Sequence, residues 1–343
     1  MKSFSSKTVL SVLTTGFISL TALIQSPLES KADEFCRNIK NESKCEKLKD
    51  NYQLAIRPYI EEGDYLATIE ELDKLIKSNG KFAPAIFLRG MLYYLEVLDD
   101  SRAIKDFNKV ISLDPKFSDA YGWRSDYLIL ELGDFTKGLK DANKSVEVNP
   151  ENAVALLLRG YAKSAYAYEL LEKDKVDKAE TFAKESIEDF TSVIDKSSFK
   201  LPEIYKRNWA YGIVNDAYLE RGYLYVELGT LYRTNDRKKN RQLFREMFKL
   251  AIDDFSYVIK NAPDRGDDND DGLVYTSKAD GYRQRGNAYS WNDDFIRACK
   301  DWKKAKGLGD EESMESYRVS CLWRLFFNVR NTPNLPIDKG SWG

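Results

Sequence analysis

The chain has 343 residues, of which 53 are basic and 55 acidic, giving a net charge of −2. That balance excludes a surface built to coat nucleic acid, which carries a basic excess, and 43% hydrophobic residues exclude a disordered chain. Histidine is absent, which excludes Ser-His-Asp and Cys-His mechanisms and most zinc and haem sites. No glycine-rich phosphate loop occurs either, so the sequence offers no catalytic apparatus and does not read as an enzyme.

The N-terminus reads as a targeting segment. Lys2 and Lys7 precede an uncharged run of 17 residues from Thr8 to Ile24, and Ser30-Lys31-Ala32 then offers small residues where a signal peptidase cuts. Residues 1–32 are therefore expected to be a cleaved signal peptide, with an uncleaved membrane anchor as the alternative. Membrane association is expected only in the second case. Export to a periplasm, a thylakoid lumen or the extracellular space is the expected route. Cleavage leaves 50 basic and 54 acidic residues, a net of −4.

Residues 33–50 form a short segment carrying Cys36 and Cys45, nine apart. An even cysteine count in an exported chain points to disulfides. The sequence-local pairings are Cys36 with Cys45 and Cys299 with Cys321, one toward each end of the chain.

Residues 51–309 repeat. Six stretches place an acidic residue three positions after a small one: Thr68-Ile-Glu-Glu71, Ala103-Ile-Lys-Asp106, Gly138-Leu-Lys-Asp141, Ser186-Ile-Glu-Asp189, Ala251-Ile-Asp-Asp254 and Ala298-Cys-Lys-Asp301. The steps are 35, 35, 48, 65 and 47 residues. Upstream of five copies stands an Arg-small pair: Arg89-Gly90, Arg124-Ser125, Arg159-Gly160, Arg221-Gly222 and Arg285-Gly286. Turn signals at Gly63-Asp64, Asp99-Asp100, Gly133-Asp134 and Asn292-Asp293 separate the two series, and prolines at 115, 150 and 263 close units. Each unit is thus helix, tight turn, helix. One such hairpin has too little apolar surface to offset its ordering entropy, so units must stack. The recurrent glycines mark close helix crossings, since each costs about 1 kcal/mol in an exposed helix, and Tyr93, Phe107, Phe190, Phe255 and Trp302 fill the spaces between. The fourth and fifth units are long, spanning 152–196 and 203–261. Gly138 and Ala142 weaken the second helix of the third.

The loop at 264–272 joins the fifth unit to the sixth. Asp267, Asn269 and Asp271 fall at positions 1, 3 and 5 of a calcium loop, with Gly272 at 6. Alternate residues on a tight turn converge oxygens as calcium requires. Position 12 is Lys278, not the bidentate glutamate, so calcium is the one candidate cofactor and a weak one beside the reading of a solvated acidic loop. Residues 310–328 read as a helix that caps the last unit, and 329–343, with two prolines, as a disordered tail.

From Ala85-Ile-Phe-Leu-Arg-Gly90 through Leu113-Asp-Pro115, and from Gly286-Asn-Ala-Tyr289 through Lys304-Ala305, the chain resembles the tetratricopeptide repeat (TPR) family. The resemblance covers about residues 51 to 310 and departs in the long units and at Ser125, where the family has glycine. It implies an all-α fold: a right-handed α-solenoid of about six TPR-like hairpins. It also implies a protein or peptide partner and a concave face lined by the first helices, while the charge balance argues for no nucleic acid. Counted from the Arg-small pairs, that face holds Phe87, Met91, Tyr94, Asp126, Leu157, Tyr161, Leu219, Tyr223, Arg283, Asn287 and Trp291. Phe87 and Met91 stand where one subfamily places the Lys and Asn that grip chaperone carboxylates, so that clamp is not implied.

Overall fold

The computed structural model describes residues 36, 37, 39, 41–195, 209–264 and 276–322; among them every regular element is helical. The helices run in consecutive pairs: α1 (Glu42–Glu62) with α2 (Tyr65–Ser78), α3 (Ala83–Leu95) with α4 (Asp100–Leu113), and α5 (Ser118–Leu130) with α6 (Phe135–Val148). Then come α7 (Ala153–Glu172) with α8 (Val176–Asp195), α9 (Trp209–Asn235) with α10 (Arg241–Asn261), and α11 (Lys278–Trp291) with α12 (Phe295–Gly307). A short helix, α13 (Glu311–Tyr317), and a π-helical turn (Arg318–Leu322) pack on the last pair. The substantial contacts all join elements one or two apart in chain order, so this is an all-α solenoid of six TPR-like hairpins with an end cap.

The solenoid starts earlier than the repeat series suggests. Helix α1 begins at Glu42, inside the segment expected to precede the repeats, because Asn41 caps it by accepting from the Lys44 amide. The long units are two helices each, of 20, 20, 27 and 21 residues against 13 or 14 in their neighbours. Residues 1–32, the calcium-like triad Asp267, Asn269 and Asp271, and 329–343 lie outside the described residues.

The turns inside the hairpins share one recipe. Asp64, Asp99, Asp134 and Asp294 each sit before a second helix and accept from its third backbone N–H, at 2.9–3.1 Å. That satisfies a donor with no partner in the helix. Gly63 and Gly133 end first helices with φ of 70° and 62°, the left-handed conformation that glycine reaches without a Cβ penalty.

Side-chain volume is matched across each hairpin. A Cβ placed on Gly160 would stand 2.6 Å from the Phe190 ring, and on Gly222 2.6 Å from the Phe255 ring. Gly90 faces Phe107 and Gly286 faces Trp302 in the same way. In the third hairpin both partners change together. Ser125 stands at the glycine position and Ala142 at the ring position, and both are buried. Gly138 does not break α6: Ile129 packs where its Cβ would be, at 2.3 Å, so the glycine sits at a close crossing and the helix is complete.

The two sequence series prove to be two ends of one contact. In five hairpins the arginine of the first helix forks onto the aspartate of the second: Arg89 on Asp106, Arg124 on Asp141, Arg159 on Asp189, Arg221 on Asp254 and Arg285 on Asp301. Nε and a terminal nitrogen each donate to one carboxylate oxygen, at 2.5–2.9 Å. In four of them the remaining nitrogen reaches back to the preceding hairpin's second helix, to Asp73, Asn108, Thr191 or Ser256. Arginine suits this place because its planar fork addresses three helices at once.

Both cysteine pairs are bonded, Cys36 to Cys45 and Cys299 to Cys321. The second ties α12 to the terminal turn across 22 residues. A loop of that length is worth about 3 kcal/mol in the chain-entropy account. Cys299→Ser with Cys321→Ser should therefore lower stability by about 3 kcal/mol in urea titration, and dithiothreitol should lower the wild type further, since it opens Cys36–Cys45 as well; an unchanged midpoint in the double variant would show that the bond constrains nothing.

Candidate partner-binding face

First helices touch first helices: α5 meets α7, α7 meets α9, and α9 meets α11. Along those contacts runs a seam of tyrosines and carboxyls. Tyr94 of α3 donates to Asp126 of α5 at 2.9 Å. The Tyr161 hydroxyl of α7 lies within the field of Asp126 and of Asp216 and Glu220 on α9. Two turns further along α7, Tyr168 lies within the field of Glu227 and Glu220 and near Tyr223. Tyr223 in turn faces Arg283 and Asp280 of α11. Arg283 donates to Asp280 at 2.9 Å, to Asp310 at 3.2 Å and to Glu312 at 2.9 Å, which carries the seam to the end cap.

Five of the residues named from the sequence lie on this seam: Tyr94, Asp126, Tyr161, Tyr223 and Arg283. Sequence reasoning missed Asp216, Glu220, Glu227, Tyr168 and Asp280. The signal was present, since 216, 220, 223 and 227 fall at i, i+4, i+7 and i+11, one face of a helix. The other named positions belong elsewhere. Phe87 and Met91 are buried at 1% and 0% exposure, and Phe87 packs its ring 4.9 Å from Phe117 at the entry to the next hairpin. Leu157 and Leu219 are equally buried. A first helix in a stack touches its own partner and both neighbouring hairpins, so its apolar arc is wider than one face, and these four side chains are core. Asn287 accepts from Trp302 Nε1 at 2.9 Å and donates to Gln284 at 3.0 Å, so its amide serves its own hairpin. Trp291 lies at the hairpin turn, 37% exposed, beneath the Arg233 guanidinium at 5.9 Å.

The electrostatics of the seam are unusual. Asp126, Asp216, Glu220 and Glu227 form no ion pair with a lysine or arginine among the described residues. Burial pushes the Asp126 carboxyl up to about 6 and those of Asp216 and Glu227 up to about 7, and it holds Glu220 well above the usual carboxylate range, with the Asp216 charge adding to that shift. Desolvation disfavours the charged form, and no cation among the described residues offsets it. The Thr276 hydroxyl donates to Asp216 and partly counters that effect.

Stability should depend on pH accordingly. Unfolded, these groups titrate near 4; folded, they hold their protons to about pH 6 or 7. Between those limits the folded chain binds more protons than the unfolded one, so stability falls as pH rises. The chain should resist urea better at pH 5 than at pH 8. Asp216→Asn should flatten the difference, and an unchanged slope in that variant would assign the effect to other groups.

No family model matches the chain, and no curated protein matches it. Among solved structures it is similar to YrrB, described as a TPR protein with an unusual peptide-binding site, at 15% identity and a TM-score of 0.41, covering 73% of this chain and 99% of that one. It is also similar to PilW, a type IV pilus biogenesis factor, at 15% identity and a TM-score of 0.48, covering 80% and 98%. A tetratricopeptide repeat protein of Parabacteroides merdae aligns at 17% identity and a TM-score of 0.36, covering 80% and 99%.

Proposed function

We propose that this chain is a non-catalytic scaffold that binds a protein or peptide, outside the cytoplasm, along the seam of its first helices. The observation that carries the reading is the seam itself. Five successive first helices contribute polar, buried or half-buried side chains to one continuous track, where a solenoid built only for stability would place apolar residues. Tyrosine offers a flat apolar ring and a hydrogen-bonding tip at low entropic cost, as recognition surfaces require. The two disulfides and the expected signal peptide support an oxidising location. No helix among the described residues is long and apolar enough to cross a membrane.

The test is affinity capture from an envelope extract with three baits: wild type, Tyr223→Ala on the seam, and Leu98→Ala on an exposed hairpin turn. A partner of this face stays with the wild type and Leu98→Ala and is lost from Tyr223→Ala. Equal retention by all three baits would remove the seam from the reading.

A further inference from the structure

We propose that the seam between α5, α7 and α9 is a receptor for a cationic side chain, a lysine or arginine presented by the bound segment. This inference rests on the scaffold reading and names the chemistry of its partner.

Three observations carry it. First, the carboxyls of Asp126, Asp216, Glu220 and Glu227 come from two helices onto one track, and none has a lysine or arginine partner among the described residues. Arg283, the cation of the seam, stands at its far end and is committed to Asp280, Asp310 and Glu312. Second, the Tyr161 hydroxyl is buried, with its residue 7% exposed, and it has no hydrogen-bond partner among the described residues although it lies in the field of three of these acids. A buried hydroxyl left without a partner costs free energy that a structural role does not explain. Third, Glu220 is 2% exposed, and burial together with the Asp216 charge holds its carboxyl well above the usual range with no lysine or arginine among the described residues to offset it. An isolated buried acid is tolerated where a ligand completes it.

The chemistry of the ligand emerges by elimination. An anionic or acidic segment would add like charge. A purely apolar segment would leave the four carboxyls and the Tyr161 hydroxyl as they are. A metal ion needs several carboxylates converging on one point, and among the described residues no three His, Cys, Asp or Glu side chains are so grouped. An ammonium or guanidinium on a flexible stem fits, because its methylenes lie along the Tyr161 and Tyr168 rings while its donors reach acids spread along the track.

The experiment selects a random twelve-residue peptide library on the full chain at pH 8, and on the double variant Asp126→Asn with Glu220→Gln, whose helical content is first matched by circular dichroism. Peptides selected by the wild type should share lysine or arginine at one position. Replacing that residue by norleucine in a selected peptide should weaken binding about tenfold or more, as loss of one partner in a desolvated charge pair does. The double variant should lose the preference; Glu227→Gln alone, at a less buried position, should reduce it. Peptides that bind the wild type with no shared basic position, or whose norleucine forms bind equally well, would overturn the cation receptor and leave the scaffold reading standing. A basic preference that survives the double variant would also overturn it. Failure of the wild type to select any peptide would overturn both.

Discussion

Arg221→Ala should destabilise the chain by about 3–5 kcal/mol, the cost of leaving one member of a buried ion pair without its partner. Both groups are well covered, with side-chain exposures of 15% for Arg221 and 6% for Asp254. Removing the guanidinium leaves the Asp254 carboxyl buried without its partner, and burial already pushes it up. It also cuts the bond to Thr191 at 3.0 Å, which fastens the fifth hairpin to the fourth. The double variant Arg221→Leu with Asp254→Leu should recover a large part of the loss, because no charge is then stranded. Urea denaturation of the single and double variants decides the matter. A loss below about 1 kcal/mol for Arg221→Ala would place the pair among ordinary surface bridges.

Phe190→Ala should cost about 3–5 kcal/mol as well, by opening a cavity beneath Gly160. The ring is fully buried and lies edge-on to Tyr161, with centroids 5.6 Å apart. A cavity in that position faces a glycine, which has no side chain to relax into it. Gly160→Ala alone should also destabilise, by about 1–3 kcal/mol, because the new methyl meets three ring atoms within 2.9 Å. The two substitutions combined should cost less than their sum, since the methyl then occupies part of the vacated volume. Strict additivity in thermal melts would mean that the glycine and the ring do not share one site.

The repeat architecture was legible because it is written at fixed offsets along the chain. Small residues, rings and turn aspartates recur, and each has a single physical job that any one hairpin displays. The pairing of the arginine series with the acidic series was equally present in the letters. It escaped because the separation between the two varies with helix length, from 16 residues in the sixth hairpin to 33 in the fifth. The binding face was half legible. Tyr94 and Asp126 were found because counting from the Arg-small pair gives the side of the helix. Phe87 and Met91 were misplaced because that count gives an angle around the helix and not a depth, and the next hairpin covers that angle. Glu220 and Asp216 were missed because acids in a first helix ordinarily mark its solvated side, whereas here another first helix shields them.

Contacts that reach only the adjoining hairpin leave most such stacks open to peeling from either tip, one layer at a time. Here the sulfur bonds act unequally: Cys36–Cys45 closes on the first turn of α1 and links it covalently to no other helix, while Cys299–Cys321 fastens the end cap to α12. An oxidised chain therefore keeps Trp302 covered at its C-terminal tip, and a reduced one loosens there first.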